Sequence, residues 1–182
     1  MASLDDHYPV ACPFCKIADA YPPASSSPVP SNPDPETPGH ILLATRKHYR
    51  KLSDMHNTAH ESETARQEAQ DAAQAIGAWL PPLSRALCKV TGIEDWNVVQ
   101  NNGERAAQVV PHIHFHLIPR YQEGRLEVGG KGKVDVGMLK SWRMFGRGAR
   151  EDLDEEEAVE MAATLRKVLR EEVEGSGGKS KL

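Results

Sequence analysis

The chain has 182 residues, of which 39% are hydrophobic and 26% charged, and its formal net charge is −4 at pH 7. This length suits one domain of ordinary size with additional tails. The acidic balance argues against a sequence-specific nucleic-acid partner, and no apolar run approaches the roughly 20 residues that a transmembrane helix needs. The chain has three cysteines and no basic and apolar leader, which is typical of a reducing compartment.

The first third of the chain alternates between short motifs and a low-complexity stretch. A lead-in occupies residues 1–11, and CPFCKI at residues 12–17 contains a Cys-x-x-Cys pair. Residues 21–38 are rich in proline and serine and have little to bury, which predicts a disordered or polyproline-like insert. The apolar run from Ile41 to Thr45 predicts a short buried strand.

The rest of the chain is predicted to be mixed α and β. Residues 61–80 favour a helix that Pro81 and Pro82 should break or kink before it continues over 83–90. The valine- and tryptophan-containing stretch at 95–101 predicts a strand, followed by the turn signal NNGE and a second strand antiparallel to it. An amphipathic helix is predicted over 152–174. The predicted organisation is a main domain at 12–125, an extension at 126–174 and a flexible tail at 175–182.

The second of these strands carries three histidines at every second position. In VVPHIHFHLIPR, residues 109–120, His112, His114 and His116 alternate with Ile113, Phe115 and Leu117. Because successive strand residues point to opposite faces, the three imidazoles should share one face, with Cα atoms roughly 7 Å apart. Imidazole is the side chain best suited to proton transfer near neutral pH. The alternative is an exposed strand with chance histidines or a tag-like metal patch.

These motifs resemble those of the histidine triad (HIT) family. PHIHFHLIPR resembles its His-x-His-x-His motif, QNNGERAAQ its upstream Asn-x-Gly and Gln, PGHILLATRKH its Pro-Gly-His strand, and CPFCKI the cysteine pair of its zinc-carrying members. The resemblance covers roughly residues 12–17 and 37–121. It implies an α+β fold, with an antiparallel sheet of about five strands or fewer, flanking helices and a homodimer.

The resemblance also implies chemistry at the α-phosphate of a nucleotide. His114 would be the nucleophile and would form a nucleotidyl-histidine, which water would then hydrolyse. His116 would contact a phosphate oxygen or deliver a proton to the leaving group, and His112 would orient its neighbour. Gln108 would hydrogen-bond the phosphate or bridging atom, Asn101 would approach the phosphate or ribose, and Gly103 would let the loop turn closely. The alternatives are an ordinary loop amide at Gln108 and turn chemistry alone at residues 101–103.

The expected activity is hydrolysis of a nucleoside phosphoramidate or adenylate. A dinucleoside polyphosphate hydrolase and a non-catalytic nucleotide-binding or degenerate HIT module are the alternatives. In the family, two pocket-lining strands usually lie between the cysteine pair and Pro-Gly-His, where residues 18–38 contain no strand pattern. A lesser departure is Ala107, where the family favours glycine.

Four residues form a candidate metal site. The resemblance implies structural Zn²⁺ bound by Cys12, Cys15, His48 and His112, a Cys₂His₂ set suited to tetrahedral coordination. The rival interpretations of the cysteines are a redox pair and a motif that has lost its metal, and a zinc-dependent scaffold without nucleotide affinity is a third functional hypothesis. His40, at the other end of the same predicted strand as His48, is expected to be structural.

The last three residues, Ser180, Lys181 and Leu182, match a peroxisomal address. Such an address is read by an import receptor from an accessible tail. The predicted location is therefore the peroxisome, with the cytoplasm or nucleus as the alternative.

Overall fold

The computed structural model describes residues 11–22, 39–56, 62–120 and 155–177. Its elements are α1 (Pro13–Ala20), β1 (Ile41–Ala44), α2 (Glu63–Thr91), β2 (Trp96–Gln100), β3 (His114–Pro119) and α3 (Glu155–Gly177). Two 3₁₀ turns, Leu52–His56 and Glu104–Ala106, lie in the connections. Most of the predicted insert, where the family's additional strand pair was expected to be missing, lies outside the described residues. So do Ser180, Lys181 and Leu182.

The three strands form an antiparallel sheet in the order β1-β3-β2. In this register Leu42 of β1 and Val99 of β2 both lie opposite His116 of β3. The α+β class and the antiparallel pairing of the last two strands, both predicted from sequence, are confirmed. β3 begins only at His114, so the prediction of a strand that includes all three histidines is wrong in its first residue. Pro111 has no N–H for a strand ladder, and the His112 N–H donates instead to the Val110 carbonyl at 2.8 Å.

Helix α2 packs against one face of this sheet through residues in both of its halves. It begins after Ser62, whose Oγ accepts a hydrogen bond from the Ala65 N–H at 3.2 Å, and it ends at Thr91, before Gly92. The predicted break at Pro81 and Pro82 is not observed, since both prolines lie inside one continuous helix. Tertiary packing on both sides of the prolines outweighs the lost backbone hydrogen bonds.

The core lies between α2 and the face of β3 that carries the odd-numbered residues. One cluster joins Leu87 of α2 to Leu117 of β3 and Leu169 of α3, and a second joins Ala69 of α2 to Tyr49 and Ile113. Leu87, Leu117 and Ile113 are 0% exposed. Burying a side chain of this size contributes about 1.5–3 kcal/mol. The segment that carries the histidines is therefore held in place by the buried side chains on its apolar face.

Helix α3 completes the larger cluster from the C-terminal side. Leu169 is 4% exposed and packs with Leu87, and Glu172 forms ion pairs with Arg85 and Lys89 of α2. Among the described segments, no helix has the length and apolar character that a membrane crossing requires.

Gly39 sets the entry of the chain into β1. Its φ is +78°, and a Cβ there would lie 2.5 Å from Cγ2 of Thr91, at the end of α2. Only glycine combines this backbone conformation with so close an approach. The turn brings the following residue, His40, into line with the strand at the sheet's histidine-bearing face.

Candidate functional site

His114 lies at the centre of the site, with one nitrogen committed to a hydrogen bond. Its Nδ1–H donates to the His112 carbonyl at 2.7 Å, and since a carbonyl can only accept, the proton must be on Nδ1. This leaves the lone pair on Nε2. The side chain is buried, and burial lowers the pKa of His114, although the bond to the carbonyl opposes that shift. A neutral imidazole with a defined tautomer is the form that a nucleophile needs.

His116 lies beside His114 and forms a pair with His40. The rings of His114 and His116 are 4.9 Å apart in an edge-on arrangement. His40 Nε2 and His116 Nδ1 are 2.9 Å apart and share one hydrogen bond. Burial, together with the neighbouring His114 and His40, lowers the pKa of His116 to about 4. Near neutral pH His116 is therefore uncharged.

Sequence reasoning assigned His40 to a structural role and missed this contact. His40 lies two residues before Leu42, which faces His116 across the β1–β3 pair. By the twofold alternation of a strand, His40 therefore points to the same face as His116. The contact between His40 and His116 could have been predicted only from the strand register, which the sequence does not give.

The His112 ring faces the cysteine pair. Its Nε2–H donates to the Thr45 carbonyl at 2.7 Å, with Thr45 Oγ1 at 3.2 Å. The unprotonated Nδ1 then faces Cys12 Sγ at 3.3 Å and Cys15 Sγ at 3.6 Å. The contact between His112 and His114 is made by the backbone carbonyl of His112 and not by its ring, and the orienting role of His112 stays a prediction.

Cys12, Cys15, His48 and His112 form a possible metal-binding group, with all four ligand atoms within 4.8 Å of one another. Cys15 Sγ is 3.3 Å from His48 Nδ1. Tetrahedral zinc, with bonds of about 2.0–2.1 Å to nitrogen and 2.3 Å to sulfur, would place its ligands about 3.3–3.8 Å apart. The hydrogen bond from His112 Nε2–H to the Thr45 carbonyl is of the kind that usually orients a metal-binding imidazole. The four residues therefore fit such an ion.

The electrostatics of the thiols point the same way. Burial, together with a hydrogen bond and charge from the adjacent Cys12, raises the pKa of Cys15 to about 11. Two thiolates this close repel each other unless a cation lies between them. The pair of sulfurs therefore suits a bound divalent ion.

The loop between β2 and β3 is built around the side chain of Gln108, which is only 2% exposed. Gln108 Oε1 accepts from the Gly103 N–H at 2.6 Å, and Nε2 donates to the Arg50 carbonyl at 2.6 Å and the His112 carbonyl at 3.3 Å. Both amide donors are thus used by backbone carbonyls. In the structure the Gln108 side chain shapes this loop, and its predicted bond to a phosphate stays a prediction.

The other predicted loop residues lie around the same turn. Gly103 has a φ of +91°, and Asn101 Nδ2 lies 3.5 Å from the Ala107 carbonyl. Ala107 has a φ of +61°, in the left-handed region that costs a residue with a Cβ roughly 1–2 kcal/mol. This conformation explains the preference for glycine at the position, noted from sequence.

A buried imidazole with a free nitrogen, a neighbouring imidazole pair and a Cys/His group behind them define a histidine-triad site. A model of the HIT domain matches residues 29–123. An uncharacterized HIT-like protein of Methanocaldococcus jannaschii is 32% identical over 129 residues, covering 68% of this chain and 88% of that protein. The chain belongs to the HIT family.

Two further similarities concern an enzyme and a solved structure. The adenosine 5′-monophosphoramidase of Schizosaccharomyces pombe is 36% identical over 89 residues, which is 49% of this chain and about half, 54%, of that enzyme. The crystal structure of a Zn-bound histidine triad family protein from Mycobacterium smegmatis has a TM-score of 0.54 at 22% identity, covering 91% of this chain and 97% of that one. The second similarity supports the fold.

Proposed function

We propose that this protein hydrolyses a nucleoside 5′-phosphoramidate or adenylate at the α-phosphate through a nucleotidyl-histidine on His114. The observation that carries the proposal is the bond from His114 Nδ1–H to the His112 carbonyl, because it fixes the unprotonated nitrogen at Nε2. Monophosphoramidase activity in the Schizosaccharomyces pombe relative supports the substrate class.

The proposed reaction has two steps. In the first, His114 Nε2 attacks the α-phosphorus, the phosphorus–nitrogen bond to histidine forms, and the bond to the leaving group breaks. His116, beside the nucleophile and hydrogen-bonded to His40, relays a proton from solvent to the leaving group and is neutral both before and after the step. In the second step water attacks the same phosphorus and releases the nucleoside monophosphate and free His114. The buried carbonyl of His112 stabilises the positive charge that develops on the imidazole in each step.

The test is turnover by the purified full chain. We expect adenosine 5′-phosphoramidate to be cleaved, His114→Ala to lose the activity, and rapid quenching of the wild type in alkaline denaturant, in which a phosphorus–nitrogen bond survives, to trap a nucleotidyl adduct. His56→Ala is the matched control, because His56 is exposed on a 3₁₀ turn and makes none of the hydrogen bonds or ring contacts of the triad. Folded wild type that binds AMP without turnover or adduct would contradict the proposal and favour a non-catalytic module.

A parallel assay with diadenosine triphosphate separates the alternative activity. Both reactions would use the same nucleophile and differ in the leaving group. A higher kcat/KM for the polyphosphate than for the phosphoramidate would reassign the chain to dinucleoside polyphosphate hydrolysis.

We also propose that the group of Cys12, Cys15, His48 and His112 holds structural Zn²⁺. The donor set and its spacing support this, and the ion would supply a cross-link between α1 and the segment before β3. Metal analysis of the chain purified without added metal should give about one zinc per chain. A disulfide between Cys12 and Cys15 with no metal would support the redox interpretation instead.

We propose a homodimer that pairs through β2. This strand lies at an edge of the described sheet, and its Trp96 and Val98 are 39% and 46% exposed. Light scattering on wild type and Val98→Lys should give a dimer and a monomer. Val159→Lys is the control, since Val159 is also an exposed valine but lies on α3.

A further inference from the structure

The short helix α1 contacts both the Cys/His group and the proposed nucleophile. Cys12 and Cys15 lie at its N-terminal end and face His112 and His48. Between them in sequence, Phe14 lies with its ring 5.5 Å from the His112 ring and 5.0 Å from the His114 ring. One helix therefore carries two candidate metal ligands and an aromatic wall for His114.

Among the described residues, few contacts hold α1 in place. None of its side chains is fully buried, and Phe14 belongs to neither of the two core clusters. At the C-terminal end, Arg46 donates to the carbonyls of Ala18 and Tyr21 at 2.5 and 2.8 Å. At the N-terminal end the helix is held by the thiol–imidazole contacts. The position of Phe14 therefore depends on the integrity of that group.

The His114 ring needs such a wall. Its single hydrogen bond from Nδ1 fixes one nitrogen but allows the ring to tilt about that bond. Phe14 lies against it at an interplanar angle of 39°, whereas His116 meets it edge-on at 72°. A nucleophile held about 1 Å away from its productive position can lose on the order of 10²-fold in rate.

We propose that Phe14 is a positioning residue for His114, and that the Cys/His group acts on catalysis by holding Phe14 in place through α1. The inference rests on the proposed function, in which His114 is the nucleophile. It gives the Cys/His group a role in the reaction, although none of its four residues is proposed to contact the substrate phosphorus. Loss of the metal then lowers the reactivity of His114 through the displacement of one aromatic ring.

The kinetic test compares Phe14→Leu with Phe14→Tyr. Leu removes the ring and keeps much of the volume, while Tyr keeps the ring. We expect kcat to fall about 10- to 100-fold in Phe14→Leu with KM within about twofold, and Phe14→Tyr to restore kcat to within about threefold. Zinc content should stay at the wild-type level in both. Lys16→Ala, an exposed neighbour on α1, is the control. A raised KM with unchanged kcat would overturn the proposal, because it would make Phe14 a substrate-contacting wall.

A second test perturbs the metal and the ring together. Chelation of Zn²⁺ should lower the kcat of wild type about as much as Phe14→Leu does, and should change Phe14→Leu itself by less than about twofold. Effects that multiply would show that the metal acts on His114 by another route, such as the backbone of His112, and would overturn the proposal.

A spectroscopic measurement separates this inference from the proposed function. The carbon-bound ring protons of His114 should carry an aromatic ring-current shift at fixed pH that Phe14→Leu and chelation both remove and Phe14→Tyr retains. If these signals respond as expected but no turnover is found, the positioning holds and the activity is wrong. Unchanged signals in a chain that does turn over would sink the positioning alone.

Discussion

The two ends of the histidine triad use the same side chain for different purposes. At one end His112 is fully buried, with one nitrogen on the Thr45 carbonyl and the other facing two thiols. At the other end His116 is half-buried between two imidazoles, His40 and His114. Burial lowers the pKa at both ends. The difference lies in the partners: carbonyl and sulfur suit a fixed metal ligand, whereas a second imidazole suits proton exchange.

The largest difference between the two ends of the triad should appear when His116, the proposed proton-transfer residue, is removed. We expect His116→Ala to lower kcat about 10²- to 10⁴-fold, the usual range for loss of a general acid or base, with zinc content unchanged. Metal analysis and steady-state kinetics on the same preparation check this. A poor leaving group should suffer more than a good one, and an equal loss for both would deny His116 the delivery of a proton.

Removing a ligand of the Cys/His group should, in contrast, change the zinc content as well as kcat. We expect Cys15→Ser to lose most of its zinc and to lower kcat about 10- to 100-fold through misplacement of His114. Cys88→Ser is the matched control, since Cys88 is also a free, half-buried cysteine but lies on α2. Zinc retained in Cys15→Ser would contradict the proposed difference between the two ends of the triad, because they would then not differ in metal binding.

The effect of low pH on the free energy of unfolding should also reveal the environment of His116. The pKa of His116 is lowered from its usual 6.5 to about 4 in the folded chain. Between these values the unfolded state binds a proton at this side chain that the folded state does not, so the free energy of unfolding falls as pH falls from 6.5 to 4. Above 6.5 both states are neutral at His116, and below 4 both are protonated.

The measurement is urea unfolding at pH 7, 5.5 and 4.5 with chelator present, so that loss of metal does not contribute. The fall in the free energy of unfolding should be smaller in His116→Gln, which lacks the titrating ring. Parallel curves for the two proteins would mean that other groups carry the whole acid dependence.

How much of this could be predicted from sequence depends on whether a feature is local. The spacing of the triad and its resemblance to a family gave the fold class and the four members of the Cys/His group, which the structure brings together. The contact of His40 with His116 depends on strand register, and the burial of Gln108 depends on carbonyls from Arg50 and His112. Neither is encoded in a short stretch of residues.

The errors in secondary structure have the same origin. Pro81 and Pro82 break a helix by local rules, but α2 packs against the core on both sides of them. Helix α1 has only 8 residues, fewer than the roughly 11–18 over which apolar periodicity identifies a helix. Its contacts are made by groups far away in the chain, among them Arg46 and His112.

The smallest expected effect concerns the loop that connects β2 to the triad. Ala107 has a φ of +61°, and Ala107→Gly would relieve roughly 1–2 kcal/mol of backbone strain while adding about 0.4–1 kcal/mol of unfolded-state entropy. We therefore expect a net stabilisation on the order of 0.5–1 kcal/mol by urea unfolding. Ala106→Gly, in the preceding 3₁₀ turn, should instead destabilise, because Ala106 is not among the residues with positive φ. If both variants destabilise equally, Ala107 is unstrained, and the preference for glycine there has another cause.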